Sequence, residues 1–125
     1  MSQAASRASR LQSTVSTLVS GTPDIFGAAI VSDDGLMIAS ALGAETDEDS
    51  IGGMASILLS LGTRAAAELG LDDLEQVLIR ASKGNVLMVK AGDGGVLLIL
   101  MEKRAKLGLV FLDVKRAAAV IADLI

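Results

Sequence analysis

A chain of 125 residues is one domain long, and this one carries a formal charge of −4 with no cysteine, histidine, tryptophan or tyrosine. Those absences exclude disulfides, thiolate metal sites and the usual histidine general base, and an acidic chain without a basic face argues against nucleic acid as a partner. Hydrophobic residues make up 51% and aromatics 2%, so the core must be built from Ala, Val, Ile, Leu and Met, with apolar surface left over for a partner.

The first predicted element is a helix from about Ala4 to Val19, with Ala4, Ala8, Leu11, Val15 and Leu18 on one face. Its Arg7, Arg10 and serines, with no acid, give it some likeness to an organelle transit segment, but it lacks a clear cleavage site and makes an acceptable helix. Gly21 and Pro23 stop it. Ile25 to Val31 is a continuous apolar run and reads as a strand buried on both faces. Ser32-Asp33-Asp34-Gly35 is a tight turn, and Leu36 to Leu42 is the returning strand of a hairpin.

The stretch from Asp47 to Leu69 reads as one long helix, opened by a capping box of Thr46 with Asp49 and closed by Gly70. It has more apolar surface than one small core needs. Ile51, Ala55, Leu58, Gly62, Ala65 and Leu69 form a first stripe, expected to face the protein's own sheet. Met54, Ile57 and Leu61 form a second, continued by Arg64 and Glu68. Gly53, Ser56, Ser60, Thr63 and Ala67 form a third, of small residues. The second and third stripes are expected to face something outside this chain.

Leu74 to Ala81 is a third strand, and its Glu75, Gln76 and Arg80 mark it as a sheet edge, where charge guards open hydrogen-bonding groups. Ser82 to Asn85 turns the chain into a fourth strand, Val86 to Ala91. Gly92-Asp93-Gly94-Gly95 turns it again into a fifth, Val96 to Met101, wholly apolar and therefore central. After a charged link, a last helix from Gly108 places Val110, Val114, Ala117, Ile121 and Leu124 on its core face. Strands joined by tight turns give an antiparallel sheet with helices on its faces, an α+β domain, with residues 1–125 read as a single unit. The longest apolar runs are strand-sized or broken by Gly, Asp or Lys, so no membrane span is expected.

Little here points to catalysis. There is no Gly-Lys pair and hence no P-loop, and the glycine-rich segment at Gly92 joins two strands and opens no helix. Asp33-Asp34, Asp72-Asp73 and the Glu45 to Asp49 cluster lack calcium-loop spacing and stand where turns and helix starts favour carboxylates, so neither a metal nor a cofactor is expected. Arg64 invites comparison with an arginine finger, but Glu68, four residues on, is the expected partner.

The segment Asp34-Gly35-Leu36-Met37-Ile38-Ala39-Ser40 and the lead-in Leu107-Gly108-Leu109-Val110 to the last helix resemble the Roadblock/LC7 family, which includes the gliding protein MglB and the roadblock-type dynein light chains. The resemblance extends from the first helix to the end of the chain. It implies a five-stranded antiparallel sheet (α-ββ-α-βββ-α) with the long helix on one face and the terminal helices on the other. It also implies a homodimer, or a heterodimer with a similar domain, in which third strands pair and long helices lie side by side. On that resemblance Met54, Ile57 and Leu61, with Gln76, Val77, Leu78, Ile79 and Arg80, form the dimer interface. Gly53, Ser56, Ser60, Thr63 and Arg64 form the partner-binding platform. Family members bind small Ras-like GTPases as regulators or scaffolds. The sequence ends soon after its last helix, without the C-terminal extension that some members carry, so dimerisation and binding transfer more directly than GTPase activation. The expectation is a cytoplasmic, non-catalytic dimer that binds a Ras-like GTPase; the alternatives are a structural adaptor in a larger assembly and a small-ligand sensor.

Overall fold

The computed structural model describes the backbone of residues 3–125, and side-chain burial from residue 6 onward. Eight elements follow in the order α1 (Gln3–Gly21), β1 (Ile25–Ser32), β2 (Met37–Ala41), α2 (Glu48–Glu68), β3 (Gln76–Ala81), β4 (Gly84–Lys90), β5 (Gly95–Met101) and α3 (Leu107–Leu124). The five strands form one sheet in the order β2-β1-β5-β4-β3, antiparallel at every contact. The α+β architecture is the expected one: β5 is central, β3 is an edge, and the helices divide between the faces.

Alternation along the strands builds two cores. Ile30, Leu87, Leu97, Ile99 and Met101 point toward α1 and α3. Val31, Met88, Val96 and Leu98 point toward α2. All five residues of the α3 stripe are buried, so that helix lies where its period requires. On α1 the buried residues are Leu11, Val15 and Leu18. Ala8, placed on the same stripe by spacing, is exposed; its neighbours Ser6, Arg7 and Arg10 line a cleft with Asp123 and Leu124. The side chain of Ala4 lies outside the described set.

Several boundaries move for local reasons. β2 begins at Met37 and not Leu36, because the Leu36 amide and carbonyl close the turn on Ser32. β3 begins at Gln76 and not Leu74; Leu74 instead packs on α2 with the second core. Gly84 and Gly95, expected in turns, open their strands, since they pair with Ala81 and Ser32 respectively.

The start of α2 differs from the expected capping box. The cap is Asp47, one residue later than Thr46, and its carboxylate accepts from the Ser50 amide at 3.3 Å and the Ser50 hydroxyl at 2.9 Å. The Ser50 hydroxyl, then the Ser50 amide, hold the Asp47 carboxyl below its ordinary value of 3.8. A folded-state value that is lowered stabilises the fold above the ordinary carboxylate range and loses that contribution as pH falls through the lowered value. Asp47→Asn should therefore keep most of the cap while flattening the acid limb of the melting-temperature profile below the ordinary carboxyl value of 3.8, and Asp47→Ala should lower the melting temperature at neutral pH. Thermal melts across pH 2.5–7 check both.

The end of α2 follows expectation. Gly70 takes a left-handed conformation (φ +72°), its amide donates to the Ala67 carbonyl, and the Leu71 amide donates to that of Ala66. This is the paired bonding of a Schellman motif.

Candidate partner-binding surface

One close approach sets the orientation of α2. A Cβ on Gly52 would stand 2.3 Å from the Gly35 carbonyl oxygen, so the helix rests on the β1–β2 turn through two glycines. A glycine inside a helix costs about 1 kcal/mol relative to alanine; here it admits backbone-to-backbone contact that no side chain permits. Ser56 strengthens the seam by donating its hydroxyl to the Asp33 carbonyl at 2.8 Å.

That orientation corrects the expected core stripe. The buried residues of α2 are Gly52, Ala55 and Leu59, with Ile51 and Leu58 packed beside them. Gly62 faces Leu74 and Val77, at the margin of the sheet. Beyond it Ala65 is exposed and Leu69 is 71% exposed. The last turns of α2 overhang the edge strand and have no sheet beneath them, so the spacing that selected Ala65 and Leu69 holds only where a floor exists.

The second stripe stays outside, with Met54 45%, Ile57 61% and Leu61 57% exposed. The neighbouring edge strand is also open: Gln76, Leu78, Ile79 and Arg80 are exposed, and Val77 is half-buried against the α2-side core. Of the residues assigned to an interface, Val77 is thus also a structural contact of the single copy.

The third stripe divides. Gly53 and Ser56 lie against the β1–β2 turn, Ser56 through its hydrogen bond. Thr63 donates to the Leu59 carbonyl at 2.8 Å. Ser60 is exposed. Arg64 pairs with Glu68 at 2.9 Å, as expected, with both side chains mostly in solvent; such a pair contributes little to stability. Ser60, Thr63 and Arg64 also line an open cleft of about 570 Å³, whose far wall is Asp33, Lys90 and the turn from Gly92 to Gly95. Asp33, Lys90 and Asp93 had no place in the expected platform. Antiparallel pairing of β1 with β5 brings the two turns together, through the Asp33 amide and the Gly94 carbonyl at 3.0 Å, and no local pattern announces it. Among the described residues no group of three or more potential metal ligands converges.

A model of the Roadblock/LC7 domain matches residues 5–101. Two uncharacterised proteins of Methanocaldococcus jannaschii are each 42% identical over 97 residues, covering 78% of this chain and 84% of theirs. Among solved structures, a Roadblock/LC7 domain from Streptomyces avermitilis superposes with a TM-score of 0.84 at 24% identity, covering 90% of this chain and 94% of that one. Myxococcus xanthus MglB gives 0.85 at 20% identity, covering 92% and 94%. These two structural likenesses speak to the fold.

Proposed function

This chain belongs to the Roadblock/LC7 domain family, and from that membership we propose that it is a non-catalytic, dimeric regulator or scaffold of a small Ras-like GTPase. The observation that carries the reading is the row Met54, Ile57 and Leu61, three large apolar side chains left in solvent beside an open strand. Contiguous exposed apolar surface rimmed by polar groups marks interaction sites on soluble domains. In the proposed assembly residues 1–125 act as one domain, two copies lay their α2 helices together, and Gly53, Ser56, Ser60, Thr63 and Arg64 of both offer a low-relief platform to the GTPase. The cytoplasm is the proposed setting. Among the described residues no helix is long and apolar enough to cross a membrane.

The test uses Ras-like GTPases from the same genome, purified singly and loaded with a GTP analogue or GDP. Calorimetry should find at least one that binds the dimer, with different affinity in the two nucleotide states. Ser60→Arg should abolish binding and leave the dimer intact. Absence of binding by every candidate in either state overturns the GTPase reading. A structural adaptor is the second reading, favoured by exposed Leu109 and Leu112 on α3, in the opposite layer from α2.

A further inference from the structure

The side of α3 that faces away from the sheet has a chemistry of its own. Burial of Val110, Val114, Ala117, Ile121 and Leu124 fixes the rotation of the helix, so the opposite side meets solvent. On that side Leu109 is 61%, Leu112 48% and Val120 44% exposed. Lys115 and Arg116 lie among them, and Lys103, Arg104 and Lys106 lead into the first turn; all five are exposed. Five of the chain's 11 lysines and arginines thus fall within residues 103–116, on a chain of net charge −4.

The acids near this surface are turned to local tasks. The Asp24 carboxylate accepts from the Lys106 amide at 2.9 Å, at the start of the helix. Asp113, half-buried, accepts from the Thr22 hydroxyl at 3.0 Å. Asp123 borders a cleft with Arg7 and Arg10. Exposed Glu102 offsets one charge of the lead-in. Among the basic residues, Lys103 also has a structural bond, donating to the Ala81 carbonyl at 3.0 Å. The fold gains little from the rest, since a helix dipole favours acids at its start and opposes cations there.

We infer that the outer face of α3, with its basic lead-in, docks on an anionic lipid surface. Leucines interleaved with lysine and arginine suit a helix lying in a bilayer interface: the apolar side chains enter the acyl boundary, and the long cationic ones reach back to the headgroup phosphates. The same leucines support the adaptor reading, but lysine is depleted from protein interfaces, and the charge of residues 103–116 is opposite to that of an acidic membrane. α3 and α2 pack on opposite faces of the sheet. Docking through α3 therefore turns Met54, Ile57 and Leu61 away from the bilayer. It requires neither a second copy nor a GTPase.

Flotation of the purified full chain with unilamellar vesicles tests this, using phosphatidylcholine alone or with about 30 mol% phosphatidylglycerol. The chain should float with the anionic vesicles at low salt and not with the neutral ones. Salt of about 1 M, which cuts the screening length to about 3 Å, should release it. Lys115→Gln with Arg116→Gln should weaken vesicle binding about fivefold for each charge removed. Leu109→Ser with Leu112→Ser should weaken it about tenfold or more. All four side chains are exposed, so thermal melts of both double variants should match the parent. No flotation with anionic vesicles at low salt overturns the inference. Equal flotation with neutral vesicles overturns the part given to the basic residues, and flotation that both double variants keep unchanged places lipid binding elsewhere. A protein captured by the parent and lost by the leucine variant, without flotation, assigns the face to a protein and overturns the lipid. Failure of every GTPase to bind would leave each of these results standing.

Discussion

Replacing Leu61 by arginine should convert the proposed dimer into monomers while leaving each copy folded. Leu61 is on the exposed stripe with Met54 and Ile57, away from the buried contacts at Gly52, Ala55 and Leu59. In the single copy an arginine there reaches water and retains good helix propensity, so its effect on the fold should stay within about 0.5 kcal/mol. In a dimer that buries this stripe the same guanidinium would be desolvated without a partner, at a cost of about 3–5 kcal/mol. That corresponds to a dissociation constant weakened by about two to three and a half orders of magnitude. Ile57→Arg should behave alike. Sedimentation across a concentration series, paired with thermal melts at concentrations where the parent is already monomeric, separates the two effects. A dimer that survives both substitutions places the interface elsewhere; monomers that also fail to fold return the stripe to the core.

The opposite pattern is expected of Ile121→Ala. Ile121 is fully buried in the core between α3 and the sheet, on the layer away from α2. Removing its side chain forfeits transfer energy and leaves a cavity, for a loss of about 2–5 kcal/mol. For a domain of this size that is a fall in melting temperature of roughly 8–20 °C. Association should be unaffected below the new transition, because neither Met54, Ile57, Leu61 nor the residues of β3 belong to that core. Together the two substitutions test whether holding the fold and joining copies are tasks of separate layers. A dimer weakened by Ile121→Ala well below its melting transition would show the layers to be coupled.

What the sequence revealed, and where it stopped, differs from helix to helix. On α3 the stripe chosen by spacing, Val110, Val114, Ala117, Ile121 and Leu124, is the one that is buried, although Leu109, Leu112 and Val120 leave apolar side chains on its outer face as well. α2 was legible as a helix with surplus apolar surface, and the stripe left in solvent is the one its spacing singled out. The buried stripe was misread at Ala65 and Leu69 and missed Gly52 and Leu59, because a helix apolar on several sides offers neighbouring phases that differ by one residue. The N-cap moved from Thr46 to Asp47 for a similar reason: several residues in a row can cap, and helix direction chooses among them. The cleft joining Asp33, Lys90 and Asp93 to Ser60 and Arg64 had no local signature, nor had the bond between Gln12 and Ser40, which are 28 positions apart.

By itself the sequence determined the order of elements, the turns, the centrality of β5, the edge character of β3 and the existence of apolar surface beyond one core's need. Those properties follow from period, composition and turn chemistry, which act over a few residues. Only the tertiary structure decided how far the sheet extends beneath α2 and which turns meet across it. Each of those depends on the pairing of β1 with β5 and on helices laid over distant strands, so each is set by what lies opposite a residue in space and not by what lies beside it in the chain.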